Sequence, residues 1–129
     1  MNKKILFFQY SASIGGALIS QLNLAKYLNE TGYDTKIIFY QDGPGVKYAK
    51  SLSIKTMILP LKSVFFYGAH VRLKLIVFLR FILFFPQTIF STLRLISKEN
   101  PDIVHLNTSV HITVSIAIRL TNTPVIWHI

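Results

Sequence analysis

Five short apolar runs, separated by turn-forming clusters and segments of helical periodicity, constrain this chain more than any other feature of its sequence. The first, residues 4–8, ends in the small-residue stretch Ser11-Ala12-Ser13-Ile14-Gly15-Gly16 and reads as a buried strand entering a tight turn. Leu18, Leu22, Ala25 and Leu28 then recur at spacings of four and three, with Gln21, Lys26, Asn29 and Glu30 off that face, which predicts an amphipathic helix. Gly32 stands where the helix needs a residue tolerant of positive φ to turn its last carbonyls inward. Residues 34–40, with Ile37-Ile38-Phe39-Tyr40, give a second strand that stops at the turn Asp42-Gly43-Pro44-Gly45. A weaker helix over 46–53 and a strand over 55–59 follow. Parallel strands need crossover connections, and these are right-handed, so the βαβαβ order predicts an α/β fold: a Rossmann-like parallel sheet with helices on both faces.

The second half is harder to read. Residues 71–85 are apolar almost all round, which calls for an apolar partner, and Pro86 breaks or kinks the chain. Ile89, Phe90, Leu93 and Ile96 predict a one-sided helix that Asn100-Pro101 stops. Residues 102–106 and 124–128 are the fourth and fifth strand candidates. Between them, apolar residues at nearly every even position from 110 to 120 favour a strand locally, yet two parallel strands must be bridged, so a helix over 109–121 is expected.

With 129 residues, half of them apolar, the chain suits one domain with a single core. It has no cysteine, which rules out a disulfide framework or thiol nucleophile and fits a reducing, cytoplasmic setting. The apolar run after Lys3 and Lys4 is too short for a signal-peptide core. All five acids lie outside residues 43–98, while nine lysines and arginines lie inside, and the net charge is +9. Such a patch favours an anionic partner: nucleotide phosphate, a lipid headgroup surface or nucleic acid. Nucleic acid ranks last, because the basic residues are interleaved with a nearly continuous apolar run.

Gly15, Gly16 and Ala17 sit between a strand's end and a helix's start, where free N–H groups and the helix dipole attract anions. The pattern is neither a dinucleotide fingerprint nor a P-loop, and a purely structural role for the glycines stands beside the functional one. His128 ends the last strand, at the sheet edge where open α/β folds bind ligands, although a lone histidine there is equally well packed or solvated. His105, inside its strand, reads as structural. Asn107, Thr108 and Ser109 either face a ligand or cap the next helix. His70 and His111 lack partners at ligand spacing, and no metal site is predicted.

Residues 75–85 are too short to span a bilayer, which takes roughly 20 apolar residues, and Arg80 near the middle opposes insertion. Two readings remain: burial in the core, or docking on an anionic membrane through Lys62, Arg72, Lys74 and Arg80 with the phenylalanines inserted.

Gly15-Gly16-Ala17, the run from Leu24 through Gly32 to Asp34, Pro101-Asp102-Ile103-Val104-His105 and the terminal Pro124-Val125-Ile126-Trp127-His128 together resemble family 4 glycosyltransferases, in order and spacing along the whole chain. The resemblance implies the N-terminal, acceptor-side domain of a GT-B enzyme, which moves a sugar from a nucleotide-sugar donor to a saccharide or lipid-linked acceptor with anomeric retention. It implies no metal and no resident cofactor. Gly15, Gly16 and Ala17 would approach the donor, His128 would contact the transferred sugar, and Tyr10, Asn107 and Ser109 would gather the acceptor. Basic apolar helices in this family often dock on membranes, which implies peripheral contact with the inner face of the cell membrane. The sequence stops after His128, ahead of the second domain and its paired glutamates. The expectation is therefore an inactive half that needs the other domain, on a separate chain or otherwise. The rival is a non-catalytic membrane-associated α/β module that binds anionic lipid or a partner subunit.

Overall fold

The computed structural model describes residues 2–61, 74–107 and 111–128. Along them run β1 (Lys4–Gln9), α1 (Gly16–Glu30), β2 (Asp34–Phe39), α2 (Pro44–Ser51), β3 (Lys55–Ile58), α3 (Lys74–Glu99), β4 (Ile103–Asn107), α4 (Ile112–Arg119) and β5 (Val125–His128). The strands form one sheet in the order β3-β2-β1-β4-β5, every neighbour parallel. Chain order reverses direction between β1 and β4, which makes the crevice at their carboxyl ends the topological switch point.

The pleat divides the central strand's side chains between two cores. Ile5 and Phe7 pack with Leu18, Leu22, Ala25, Val46 and Ala49 beneath α1 and α2. Leu6 and Phe8 face the other way, with Leu95, Ile96, Val114 and Ile118 of α3 and α4. Such continuous burial is what a parallel sheet covered on both faces demands of its strands. Gly32 adopts φ +99 and closes α1 as its position requires, and Asn100, at φ 45, ends α3 just before Pro101.

Four expectations need correction or completion. Gln21, placed off the buried face of the first helix, is itself buried, because its Nε2 reaches the Phe8 carbonyl oxygen at 3.4 Å. The alternating stretch before β5 is the helix α4, so the crossover requirement overrides local strand preference there. Neither Asn107 nor any other described side chain caps that helix: its N-cap residue is His111, with no side-chain cap bond, while Thr108 and Ser109 lie outside the described residues. Pro86 does not end a helix either. It sits inside the 26-residue α3, whose ladder loses one donor there without breaking.

α3 is anchored at its C-terminal end. Glu99 accepts from Lys36 Nζ at 2.9 Å and from Lys4 Nζ at 3.2 Å, and Lys4 Nζ also donates to the Glu99 carbonyl at 3.0 Å. Those lysines stand at or near the starts of β1 and β2, so α3 runs back along the sheet from its carboxyl edge. A 26-residue helix is about 39 Å long, whereas a six-residue strand covers roughly 20 Å. Only about half of α3 has strand beneath it. Thr88, Thr92, Leu95 and Ile96 are buried, but Leu75, Ile76, Phe78, Leu79, Ile82 and Leu83 are exposed, at 51–72%. The apolar partner that residues 71–85 call for is not supplied by the described residues. Moreover, the continuous helix contains a stretch, Phe78–Glu99, long and apolar enough by length and composition to cross a bilayer, which corrects the length argument built on a break at Pro86.

Candidate functional site

The loop after β1 leads into α1 at the switch point, and its conformation is set from outside. The turn before α2 packs on it: Gly45 N–H donates to the Ala12 carbonyl at 2.6 Å. A Cβ on Gly45 would stand 2.6 Å from that oxygen and 2.6 Å from Leu18 Cδ2, and one on Gly43 would stand 2.8 Å from the Ala12 Cβ. These two glycines are therefore required by packing, a role their sequence signal, a turn cluster, does not reveal. Gly15 and Gly16 are the opposite case. A Cβ on either would meet nothing within 4 Å, Gly15 has ordinary extended backbone (φ −153), and Gly15, Gly16 and Ala17 are all exposed. The fold's own packing gives no reason for glycine there, and the open approach leads straight to the uncapped N-terminus of a 15-residue helix.

Asn107, at the end of β4, ties this turn to the sheet. Its Nδ2 donates to the Ala17 carbonyl at 3.2 Å and to Gln9 Oε1 at 3.3 Å, and the residue is only 7% exposed. Its amide is thus committed to holding the start of α1 against β1. His128 is the register partner of Asn107 one strand further out, and it is exposed. Two strand spacings, roughly 10 Å, separate the end of β1 from that of β5. By the pleat, Gln9, Asn107 and His128 share the α1 face. His105, half-buried on that face, packs against Phe7 and lies 6.4 Å from the His128 ring, centroid to centroid. Burial, reinforced by the neighbouring His128, pushes its pKa down, so it stays neutral at physiological pH.

Tyr10 goes elsewhere. It belongs to the α3/α4 face, edge-on to Tyr40 at 6.1 Å. Tyr40 in turn shares a 2.5 Å hydrogen bond with His111 Nδ1. Burial raises the Tyr40 hydroxyl well above its usual range and lowers His111 to about 4, against a smaller upward effect of the Asn107 backbone. Both are therefore neutral at pH 7, and the hydroxyl and the imidazole share an uncharged hydrogen bond. This pair braces the loop ends from below the sheet edge, and no sequence spacing announces it, since residues 40 and 111 meet only through the fold.

Of the residues singled out for membrane contact, Arg80 is exposed on the projecting half of α3 and Lys74 opens that helix, whereas Lys62 and Arg72 lie outside the described residues. Gly15, Gly16, Ala17, Asn107 and His128 thus come together at the carboxyl edge of the sheet, while Tyr10 approaches it from the opposite face.

The sequence matches Glycosyltransferase Family 4 over residues 14–129. Among curated proteins nothing matches. Three solved structures are similar in fold. MurG of Acinetobacter baumannii is 21% identical with a TM-score of 0.69, over 98% of this chain and 34% of that one. A glycosyltransferase from Rickettsia africae ESF-5 is 22% identical with a TM-score of 0.66, over 98% and 29%. Anabaena Alr3699/HepE, solved in complex with UDP and glucose, is 17% identical with a TM-score of 0.67, over 99% and 30%. At such identities the likeness speaks for the fold alone, that of a GT-B N-terminal domain. This chain spans about a third of the length of those proteins.

Proposed function

The chain belongs to Glycosyltransferase Family 4, and on that premise we propose that it is the acceptor-side half of a retaining enzyme of cell-surface polysaccharide synthesis. It takes a sugar from a nucleotide-sugar and delivers it to a saccharide or lipid-linked acceptor. One observation carries the reading: an unobstructed glycine turn, a helix N-terminus and an exposed imidazole share one face of the switch-point edge. As the glycosidic bond to the diphosphate breaks, negative charge grows on the leaving oxygen. The first N–H groups of α1 and the positive end of its dipole favour that charge at no cost in reorganisation. His128 hydrogen-bonds the sugar in transfer, and the Asn107 amide keeps the start of α1 in place. Anabaena HepE, with its bound UDP and glucose, supports a nucleotide-sugar as donor. The scheme uses no metal or resident cofactor.

A second α/β domain, on the same polypeptide or a separate chain, supplies the far wall of the cleft, so the 129-residue chain alone stays near background activity. The projecting apolar half of α3, with Arg80 on it, supports docking on the inner face of the cell membrane, where a lipid-linked acceptor presents its saccharide. A non-catalytic lipid-binding module would share α3 but would have no use for the open glycine turn.

The test joins this chain to its complementary domain and follows sugar release from UDP-glucose and other nucleotide-sugars, with product stereochemistry by NMR. Full activity requires both halves, the anomer is retained, and His128→Ala lowers kcat by about 10²-fold or more. An inverted product removes the retaining mechanism. Unchanged turnover in both His128→Ala and Gly16→Val removes the assigned site.

A further inference from the structure

A groove of about 340 Å³ lies between the edge strand β3 and the C-terminal turns of α3, away from the switch-point crevice. Met57, Leu59 and Leu95 form its apolar side, Phe90 stands at its rim with 67% exposure, and Ser91, Arg94 and Lys98 supply its polar atoms. Arg94 and Lys98 are exposed, and neither forms an ion pair among the described residues. Glu99, the single acid of α3, is occupied by Lys4 and Lys36. The groove therefore carries two uncompensated positive charges beside an apolar trough.

Its direction matters as much as its composition. At ~100° per residue, Leu83, Phe90 and Arg94 fall within about 40° of arc on α3, with Ile76 and Leu79 close by. The rim of the groove thus runs into the exposed apolar stripe of the projecting half. Charge sits at one end of this track and hydrocarbon-compatible surface at the other, which is the complement of an amphiphile with an anionic head. Free phosphate or a nucleotide would leave the trough of Met57, Leu59 and Phe90 unused. An uncharged detergent-like molecule would leave the cations unused.

We infer that this groove binds a single anionic phospholipid, its phosphate between Arg94 and Lys98 and an acyl chain passing Phe90 toward Leu83. The proposal rests on the membrane reading of α3 only for the source of the ligand, and it assigns a stoichiometric site rather than general surface adhesion.

Soluble short-chain lipid tests the site without a bilayer. Isotope-labelled protein is titrated with dihexanoyl-phosphatidylglycerol below its micelle concentration, in parallel with dihexanoyl-phosphatidylcholine and with inorganic phosphate. Saturable NMR shifts at the Met57 methyl, Arg94 and Lys98 are expected with phosphatidylglycerol alone. Arg94→Gln with Lys98→Gln, both at exposed positions, weakens that binding about 30-fold, each cation contributing about fivefold. An equal response to phosphatidylcholine, saturation by phosphate alone, or an unchanged affinity in the double variant overturns the assignment. Vesicle flotation of Leu75→Ser with Ile82→Ser, both exposed on the projecting half of α3 and off the line through Leu83, Phe90 and Arg94, separates the two ideas. If only flotation is lost while phosphatidylglycerol shifts persist, α3 docks on membranes and the groove is a separate site. If the shifts never appear while flotation persists, the groove proposal fails and the docking surface stands.

Discussion

Gly45→Ala and Gly16→Ala make a pair in which the same added methyl has opposite consequences. At Gly45 the new Cβ would lie 2.6 Å from the Ala12 carbonyl oxygen, 3.1 Å from the Ala12 carbonyl carbon and 2.6 Å from Leu18 Cδ2. Two of those atoms are backbone and the third belongs to a leucine only 1% exposed, so none yields cheaply. Overpacking of this kind costs about 1–3 kcal/mol. Moving the turn away also stretches the Gly45 N–H to Ala12 carbonyl bond, whose loss costs about 1 kcal/mol. The sum is about 2–4 kcal/mol, enough to lower Tm by about 10 °C in a domain of this size. At Gly16, the first residue of α1, a Cβ meets nothing and helix propensity gains up to about 1 kcal/mol. Urea unfolding followed by far-UV circular dichroism reads both. The reasoning is refuted if Gly45→Ala stays within about 0.5 kcal/mol of wild type, or if Gly16→Ala is destabilised as much as Gly45→Ala.

Two further predictions concern acid. Burial pushes the Glu99 carboxyl up, but the hydrogen bonds and charges of Lys36 and Lys4 outweigh it and hold it below its usual value, so its contribution is present above about pH 4.5 and fades as pH falls through the lowered pKa. Glu99→Gln therefore costs about 1–3 kcal/mol at pH 7, and the gap between the two proteins narrows progressively as pH falls below 4.5; parallel curves on acidification would contradict the clamp. His111, neutral in the fold with a pKa near 4, contributes stability that is complete above pH 6.5 and declines on acidification toward pH 4, by on the order of 3 kcal/mol. His105, also lowered, adds in the same direction. Denaturant midpoints measured from pH 7.5 to 4 should show a slope that His111→Asn flattens, and an unflattened slope would clear His111 of the role.

The three inner strands were legible because they are largely buried on both faces and so read as apolar runs, whereas the edge strands β3 and β5 are partly exposed. Ile37-Ile38-Phe39 is a clear case, and the small-residue turns fall where the chain must reverse. α4 was readable only through topology, since its apolar residues alternate and the need to bridge β4 and β5 decides against a strand. Of the two alternatives at Pro86, the break did not occur, because a proline removes one donor without ending a helix whose next turns are held by packing at Thr88, Thr92, Leu95 and Ile96. At the site, Gly15, Gly16 and His128 could be found from their positions at strand ends. The commitment of the Asn107 amide to Ala17, the steric demand at Gly43 and Gly45, and the Tyr40–His111 bond depend on contacts between residues up to 90 apart in the chain, which no local pattern encodes.

The register of β1 has a consequence for how the polypeptide reaches its native state. One edge pairs with β2, Lys4 opposite Asp34, and closes a loop of moderate length; the other waits for β4, with Ile5 opposite Ile103. At a synthesis rate of about 5–20 residues per second, the central ribbon emerges several seconds before its second neighbour. Throughout that interval Ile5, Leu6, Phe7 and Phe8 present an open, apolar hydrogen-bonding edge to solvent, the type of surface on which nascent chains stick to one another. Chaperone dependence during translation, relieved once the stretch through Asn107 has left the ribosome, follows from strand order alone.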